Sequence, residues 1–139
     1  MRKFYFVENE NIADAAIKVI ASSLNELFRG AAEALSFLMI ENADEIEEKE
    51  RVKINIKANS YYKLLYKFLN KIIYYKDTKG LVFSKFLVKI NKKNLNAICY
   101  GDVLKPKYQQ LVDAKSVTMH KIYVKKKSKF YEAHFVVDI

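Results

Sequence analysis

Three carboxylates beside two apolar segments are the groups in this sequence that could bind a metal ion. Asp14 opens one such segment, Asp138 ends another, and Ile139 follows with a free carboxylate. If the two segments are strands whose ends meet, three like charges converge and repel unless a cation compensates. The natural occupant is then a hard ion such as Ca²⁺ or Mg²⁺ with oxygen ligands. Strand-end aspartates that are solvated or form local turns are the alternative.

The other reactive side chains carry weaker signals. His120 and His134 are expected within the last two strands, without an acidic or cysteine partner at a recognisable spacing, which is more typical of sheet residues than of a base. Cys99 is predicted to be a small buried hydrophobe. Lys115 precedes a predicted strand and is not distinguished from its many basic neighbours. These residues leave the function open.

Several classes of protein are excluded. The glycines Gly30, Gly80 and Gly101 lie too far apart for a phosphate-binding loop or a dinucleotide fingerprint. No nucleophile, base and oxyanion donor can be assembled, so we do not expect an enzyme. A single cysteine fits a reducing compartment, and neither a membrane span nor a secretion signal is evident. We therefore expect a cytoplasmic protein.

The charges are distributed unevenly along the chain. The 139 residues are 51% apolar, which fits a single domain over 1–139, and the net charge is +9. Residues 1–50 hold 5 basic and 11 acidic side chains, for a net charge of −6. Residues 51–139 hold 20 basic and 5 acidic side chains, for a net charge of +15. This asymmetry could steer a polyanion to one side of the molecule. The alternative explanation is a general compositional bias toward lysine, which would give the same number of basic residues.

Two amphipathic segments predict the helices that position these residues. Ser23 and Glu26 have the spacing of a capping box, and apolar residues at helical period continue to about Ile40. A second helix begins near Asn59 or Ser60 and continues through Ile73. Residues 41–50 are interpreted as a solvated acidic loop, with a short helical turn as the alternative, and the residue types of 77–80 are typical of a turn.

The remaining segments have the alternation of strands covered on one face, which favours antiparallel pairing. The predicted strands are 3–7, 15–21, 52–57, 82–90, 95–100, 116–125 and 130–137, with a hairpin turn at 91–94 and another at 126–129. Strands with two inserted helices predict an α+β domain of mostly antiparallel sheet, with both helices packed on one side.

Four segments in this order and spacing resemble the archease family. They are Asn11-Ile12-Ala13-Asp14, Ser23-Leu24-Asn25-Glu26-Leu27-Phe28, Ala114-Lys115-Ser116-Val117-Thr118-Met119-His120 and the final Val137-Asp138-Ile139. Phe68-Leu69-Asn70 and the segment 77–83 are similar to the family's central helix and the turn after it. The resemblance covers nearly the whole chain.

The resemblance implies a function and a site. Archeases are accessory proteins of the RtcB-type RNA ligase, which they activate by promoting its guanylylation and multiple turnover in tRNA splicing and RNA repair. By this resemblance Asp14, Asp138 and the carboxylate of Ile139 bind a divalent metal, with Ca²⁺ expected and Mg²⁺ or Mn²⁺ as alternatives. Lys115 corresponds to the family's functional lysine. RNA is expected to be contacted through the ligase.

The sequence departs from the family pattern at Asn11 and Ile12, which stand where the family has His and Thr. Asn11 can still offer an amide oxygen to a hard cation. Residues 105–110 also lack the Asp and His that many relatives carry. A stand-alone basic RNA-binding or chaperone-like module is the alternative function, and a steep loss of RNA affinity with salt would distinguish it.

Overall fold

A computed structural model of the protein describes residues 1–7 and 13–139. The strands are β1 (Arg2–Val7), β2 (Asp14–Ala21), β3 (Glu50–Lys57), β4 (Leu81–Asn91), β5 (Asn94–Val103), β6 (Ser116–Val117), β7 (Tyr123–Lys126) and β8 (Tyr131–Asp138). The helices are α1 (Leu24–Met39) and α2 (Tyr61–Lys79), with a 3-10 turn at Ala43–Glu45.

The strands form two antiparallel sheets. In the first sheet the order is β1-β2-β8-β6, and β7 also pairs with β8. In the second sheet the order is β3-β5-β4. The described residues therefore confirm the α+β class with mostly antiparallel strands and two main helices.

The two helices pack against both sheets. α1 contacts β1 and β2 of the first sheet and β4 of the second, and α2 contacts β3, β4, β6 and β7. Their buried side chains join those of the strands in one hydrophobic cluster, where Phe28 of α1 lies 6.3 Å from Phe68 of α2 between ring centroids. Neither helix is long and apolar enough to cross a bilayer.

Local hydrogen bonds set the helix ends. The Ser23 hydroxyl accepts a hydrogen bond from the Glu26 amide at 3.2 Å, and Ser60 caps α2 in the same way. The predicted turn at 77–80 is wrong for its first three residues, which form the last turn of α2. Gly80 ends that helix in the left-handed conformation, with φ +62°, and its amide donates to the carbonyl of Lys76.

Two further expectations differ from the structure. Within residues 41–50 the alternative of a short helical turn is correct, because the 3-10 turn forms there and buries Ala43, and β3 already begins at Glu50. The predicted strand 116–125 is two strands, β6 and β7, that pair with different parts of β8.

The break between β6 and β7 is a change of register. From Ser116 to Tyr123 the chain advances seven residues while the paired residues on β8 move only four, from Asp138 to His134. The three extra residues form a turn in which Lys121 has φ 57°. His120 lies in this turn, so its expected place within a strand is wrong.

Gly101 in β5 allows a close backbone approach. An added Cβ would lie 1.9 Å from the carbonyl oxygen of Val82, beside an irregularity in β4 between Phe83 and Lys85. Backbone atoms cannot move aside as a flexible side chain can, so only glycine fits here.

Gly101→Ala should therefore lower the free energy of unfolding by about 3 kcal/mol, measured by urea denaturation. Gly80→Ala is the control, because it meets no atom within 4 Å and costs only about 1 kcal/mol for its left-handed backbone. Equal destabilisation by the two substitutions would contradict the steric explanation.

Candidate functional site

The pairing of β2 with β8 places Asp14 directly opposite Asp138. The Ile139 amide donates a hydrogen bond to the Ala13 carbonyl at 2.9 Å, so Asp14 and Asp138 occupy the adjacent non-hydrogen-bonded position. In such a pair both side chains point to the same face, and the Cα atoms approach to about 4.5 Å. The two carboxylates that the sequence analysis singled out are thus cross-strand neighbours.

Burial along the two strands fixes this register. Ile17 and Val19 of β2 pair with Phe135 and Ala133 of β8, and all four side chains are fully buried. Because side chains alternate between faces, a slip of one residue would move this whole set out of the core. The core therefore holds the carboxylate pair in place.

Lys115 joins the pair from the other edge of β8. Ser116 of β6 pairs with Asp138, and the Lys115 amide donates a hydrogen bond to the Asp138 carbonyl at 2.8 Å. Lys115 itself is exposed, and Ala114 before it is fully buried. Asp14, Asp138, Ile139 and Lys115 lie together at one end of the first sheet.

Helix α2 holds the segment that carries Lys115. The Asn70 side-chain amide donates to the Val117 carbonyl at 3.0 Å and accepts from the Val117 amide at 2.8 Å. Lys76 donates to the Asp113 carboxylate at 2.5 Å and to the Ala114 carbonyl at 2.8 Å. These bonds fasten both sides of Lys115 to the helix.

Neither Asn70 nor Lys76 had a role predicted from the sequence. The position of Lys76 could have indicated a buried contact. It lies three residues after Ile73 and four after Ile72, on the apolar face of α2. Its side chain is only 10% exposed. The hydrogen bond from Lys76 also holds the pKa of Asp113 below its usual value.

The donor set is chemically suited to a hard cation. Carboxylates directly opposite on adjacent strands repel, and an ion that bridges oxygen ligands relieves this repulsion. Within residues 1–7 and 13–139, no three or more His, Cys, Asp and Glu side chains form a metal cluster. Asn11, the further candidate oxygen donor, lies outside the described residues.

The histidines and the cysteine lie in other environments. The His134 Nδ1 lies 2.7 Å from the Lys121 carbonyl, and its ring stacks on Tyr123 at 5.5 Å between centroids. His120 is exposed in the turn before β7. Cys99 is fully buried in β5, and burial raises the pKa of its thiol to about 12.

A buried carboxylate that sequence analysis did not single out is Asp102, which is 2% exposed. Lys105 and the Tyr108 hydroxyl both donate to its Oδ2 at 2.6 Å, and these bonds lower the pKa of Asp102 to about 2. The Tyr108 hydroxyl also accepts from the Glu47 amide at 3.1 Å. Asp102 therefore anchors the segment after β5 and has a structural role.

Replacing Lys76 with methionine should loosen the segment that carries Lys115. The substitution keeps most of the buried aliphatic stem and removes the bonds to Asp113 and Ala114, which should speed hydrogen exchange at the Lys115 amide by about fivefold. Lys79→Met, on an exposed position of the same helix, is the matched control. Unchanged exchange in the Lys76 variant would show that α2 does not position Lys115.

Comparison with known proteins identifies relatives along the whole chain. The model of the archease protein family (MTH1598/TM1083) matches residues 6–139. The protein archease of Sulfurisphaera tokodaii is 33% identical, with 100% of each chain covered. The protein archease of Pyrococcus abyssi is 35% identical, with 84% of this chain and 85% of the relative covered.

Solved structures share the fold. The solution structure of Methanobacterium thermoautotrophicum protein 1598 is similar with a TM-score of 0.82 and 27% identity, over 99% of this chain and 98% of the other. The crystal structure of an archease, described as a possible chaperone, from Thermotoga maritima has a TM-score of 0.66 and 15% identity over 96% of each chain. At that identity the second comparison shows the fold alone.

Proposed function

The chain belongs to the archease family, and we propose that it is an accessory protein that activates an RtcB-type RNA ligase. In this role it has no catalytic activity of its own and acts in the cytoplasm. It promotes guanylylation of the ligase and allows repeated turnover, so that RNA ends are joined in tRNA splicing and RNA repair.

The observation that supports this function is the geometry around Asp138. Asp14 pairs with it from β2, and the Lys115 amide bonds its carbonyl from the other side. These are the residues that the family resemblance marks as functional, and they come from three separate parts of the sequence. Burial of the β2–β8 core and the contacts of α2 hold these residues in one place. Their proximity favours a shared role over the alternative that each is an unrelated, solvated side chain.

In this proposal Asp14, Asp138 and the carboxylate of Ile139 bind a divalent cation, with Ca²⁺ preferred and Mg²⁺ or Mn²⁺ accepted. When bound, the cation supplies positive charge for phosphate oxygens. Lys115 is exposed beside the pair, so its ammonium group can reach a docked partner. The carboxylates and the lysine together would orient triphosphate groups at the nucleotide pocket of the ligase.

Three substitutions test the proposal: Asp14→Asn, Asp138→Asn and Lys115→Met should each reduce stimulation of ligase guanylylation by at least about tenfold. The reason is loss of a ligand charge in the first two variants and of the phosphate-directed cation in the third. The measurement is transfer of labelled guanylate to the ligase of the same organism, with each variant at equal concentration.

Asp44→Asn and Lys129→Met are the matched controls, because both residues are exposed and neither lies in β2, β6 or β8, the strands that hold the site. Circular dichroism would establish that all five variants fold. Undiminished stimulation by the three site variants, or an equal loss in the controls, would refute the proposed function.

A further inference from the structure

The second sheet has a basic outer face that the site around Asp138 does not use. We define this outer face by five basic side chains and one aromatic ring on the side of the sheet opposite its buried side chains: Arg51, Lys53, Lys57, Lys85, Lys89 and Tyr100. The register places Arg51 and Lys85 on either side of Tyr100 and places Lys53 in the next row along the sheet.

The charges of the outer face are largely uncompensated. Of the five basic side chains, only Lys85 forms an ion pair within the described residues, with Glu48 at 4.0 Å between Nζ and Oε1. All five are exposed. On the paired parts of these strands Asp102 of β5 is an acidic residue at an outward position by alternation, but its carboxylate is buried and bonded to Lys105 and Tyr108. A surface with one sign of charge raises the local concentration of an anionic ligand, and here that ligand must carry several charges.

Between the charges the face is apolar. Leu87 is 40% exposed and pairs with Ile98, which is half-buried beside it. The Tyr100 ring lies in the row before this pair, and the Lys85 ammonium is 5.4 Å from its centroid. A flat ring and an aliphatic patch next to cations can contact a base and its phosphate at the same time.

Amide side chains add hydrogen-bonding groups to this surface. Asn96 pairs with Asn55 on one side and Lys89 on the other, and the Asn55 amide donates to the Asn96 side-chain oxygen. Amides offer both donors and acceptors, which suits the edges of unpaired bases and ribose hydroxyl groups.

Helix α1 turns this face into a groove of about 880 Å³. The Asn25 side-chain oxygen accepts a hydrogen bond from the Ile90 amide at 2.9 Å, which holds the start of the helix beside β4. Glu26 lines the wall, but its carboxylate is already bonded to Arg2 at 2.9 Å and Arg29 at 3.3 Å. The groove therefore keeps its positive character.

We propose that the outer face of the second sheet binds single-stranded RNA. Lys53, Lys89 and their basic neighbours contact phosphates, and Tyr100 stacks on a base. The proposal goes beyond the proposed function, because it makes the RNA contact direct and needs no ligase. An acidic protein surface would match the charge, but it would not use the stacking ring and the amides between the lysines.

Fluorescence anisotropy with a labelled single-stranded RNA of about a dozen nucleotides tests this assignment. The combined variant Lys53→Gln and Lys89→Gln should bind more weakly and lower the slope of log affinity against log salt by about 1.4, which corresponds to two lost phosphate contacts. Tyr100→Leu should weaken binding about tenfold with little change in the slope, and Tyr100→Phe should retain the affinity.

The matched control is Lys127→Gln with Lys129→Gln, which removes the same charge from an exposed turn of the first sheet. Equal losses in the two double variants would mean attraction by net charge alone and would overturn the proposal. Displacement of the RNA by polyglutamate at equal charge concentration, or tighter binding of DNA of the same sequence, would overturn it too. The Asp138→Asn variant should bind RNA normally, so this result is separate from ligase activation.

Discussion

The antiparallel pairing of β2 with β8 is the constraint on which the candidate site depends. Fully buried residues alternate along both strands, with Ile17 opposite Phe135 and Val19 opposite Ala133. Their burial leaves one register, and that register brings Asp14 opposite Asp138 at the end of the strands. Two charges that repel are thus held together by apolar contacts several residues away. The buried apolar contacts, rather than an attraction between the two carboxylates, fix their proximity.

The charge asymmetry of the sequence has a structural explanation in part. Two acidic residues of α1, Glu26 and Glu33, bind Arg2 of β1, and the Arg2 guanidinium contacts Glu33 with bonds of 2.7 and 2.8 Å. This bidentate ion pair joins β1 to α1. In contrast, most of the basic side chains of the second sheet have no acidic partner within the described residues. The acidic half of the chain is partly used for packing, whereas the basic side chains on the outer face of the second sheet remain exposed.

The elements that could be predicted from the sequence are those set by residues within a few positions of them. The capping serines Ser23 and Ser60 and the alternation of β3 lie within a few residues of the elements they define, and the structure has those elements. The meeting of Asp14 and Asp138 could be stated as a hypothesis, because both sit at the end of an apolar strand. Choosing it over two solvated strand ends required the family resemblance, since no local pattern says which strands pair.

Features that depend on contacts between distant parts of the chain were not predicted. The division of β6 from β7 follows from their different registers on β8, and nothing between Thr118 and Ile122 resembles a strong turn sequence. Lys76 had no role predicted from the sequence, and its partners are the loop residues Asp113 and Ala114, nearly forty positions along the chain. A lysine on the apolar face of a helix indicates that it bonds another segment, but the sequence does not say which segment packs there.

Paramagnetic broadening by Mn²⁺ in amide NMR spectra would show whether the paired carboxylates bind a cation. We expect the amides of Asp14, Lys115 and Asp138 to broaden first, while Ala21 and Tyr131, about 24 Å away at the other end of the same strands, keep their intensity. Asp138→Asn should abolish the selective broadening, and added Ca²⁺ should reverse it in the unmodified protein. Broadening centred on another surface, or unchanged in the Asp138 variant, would contradict a cation site between β2 and β8.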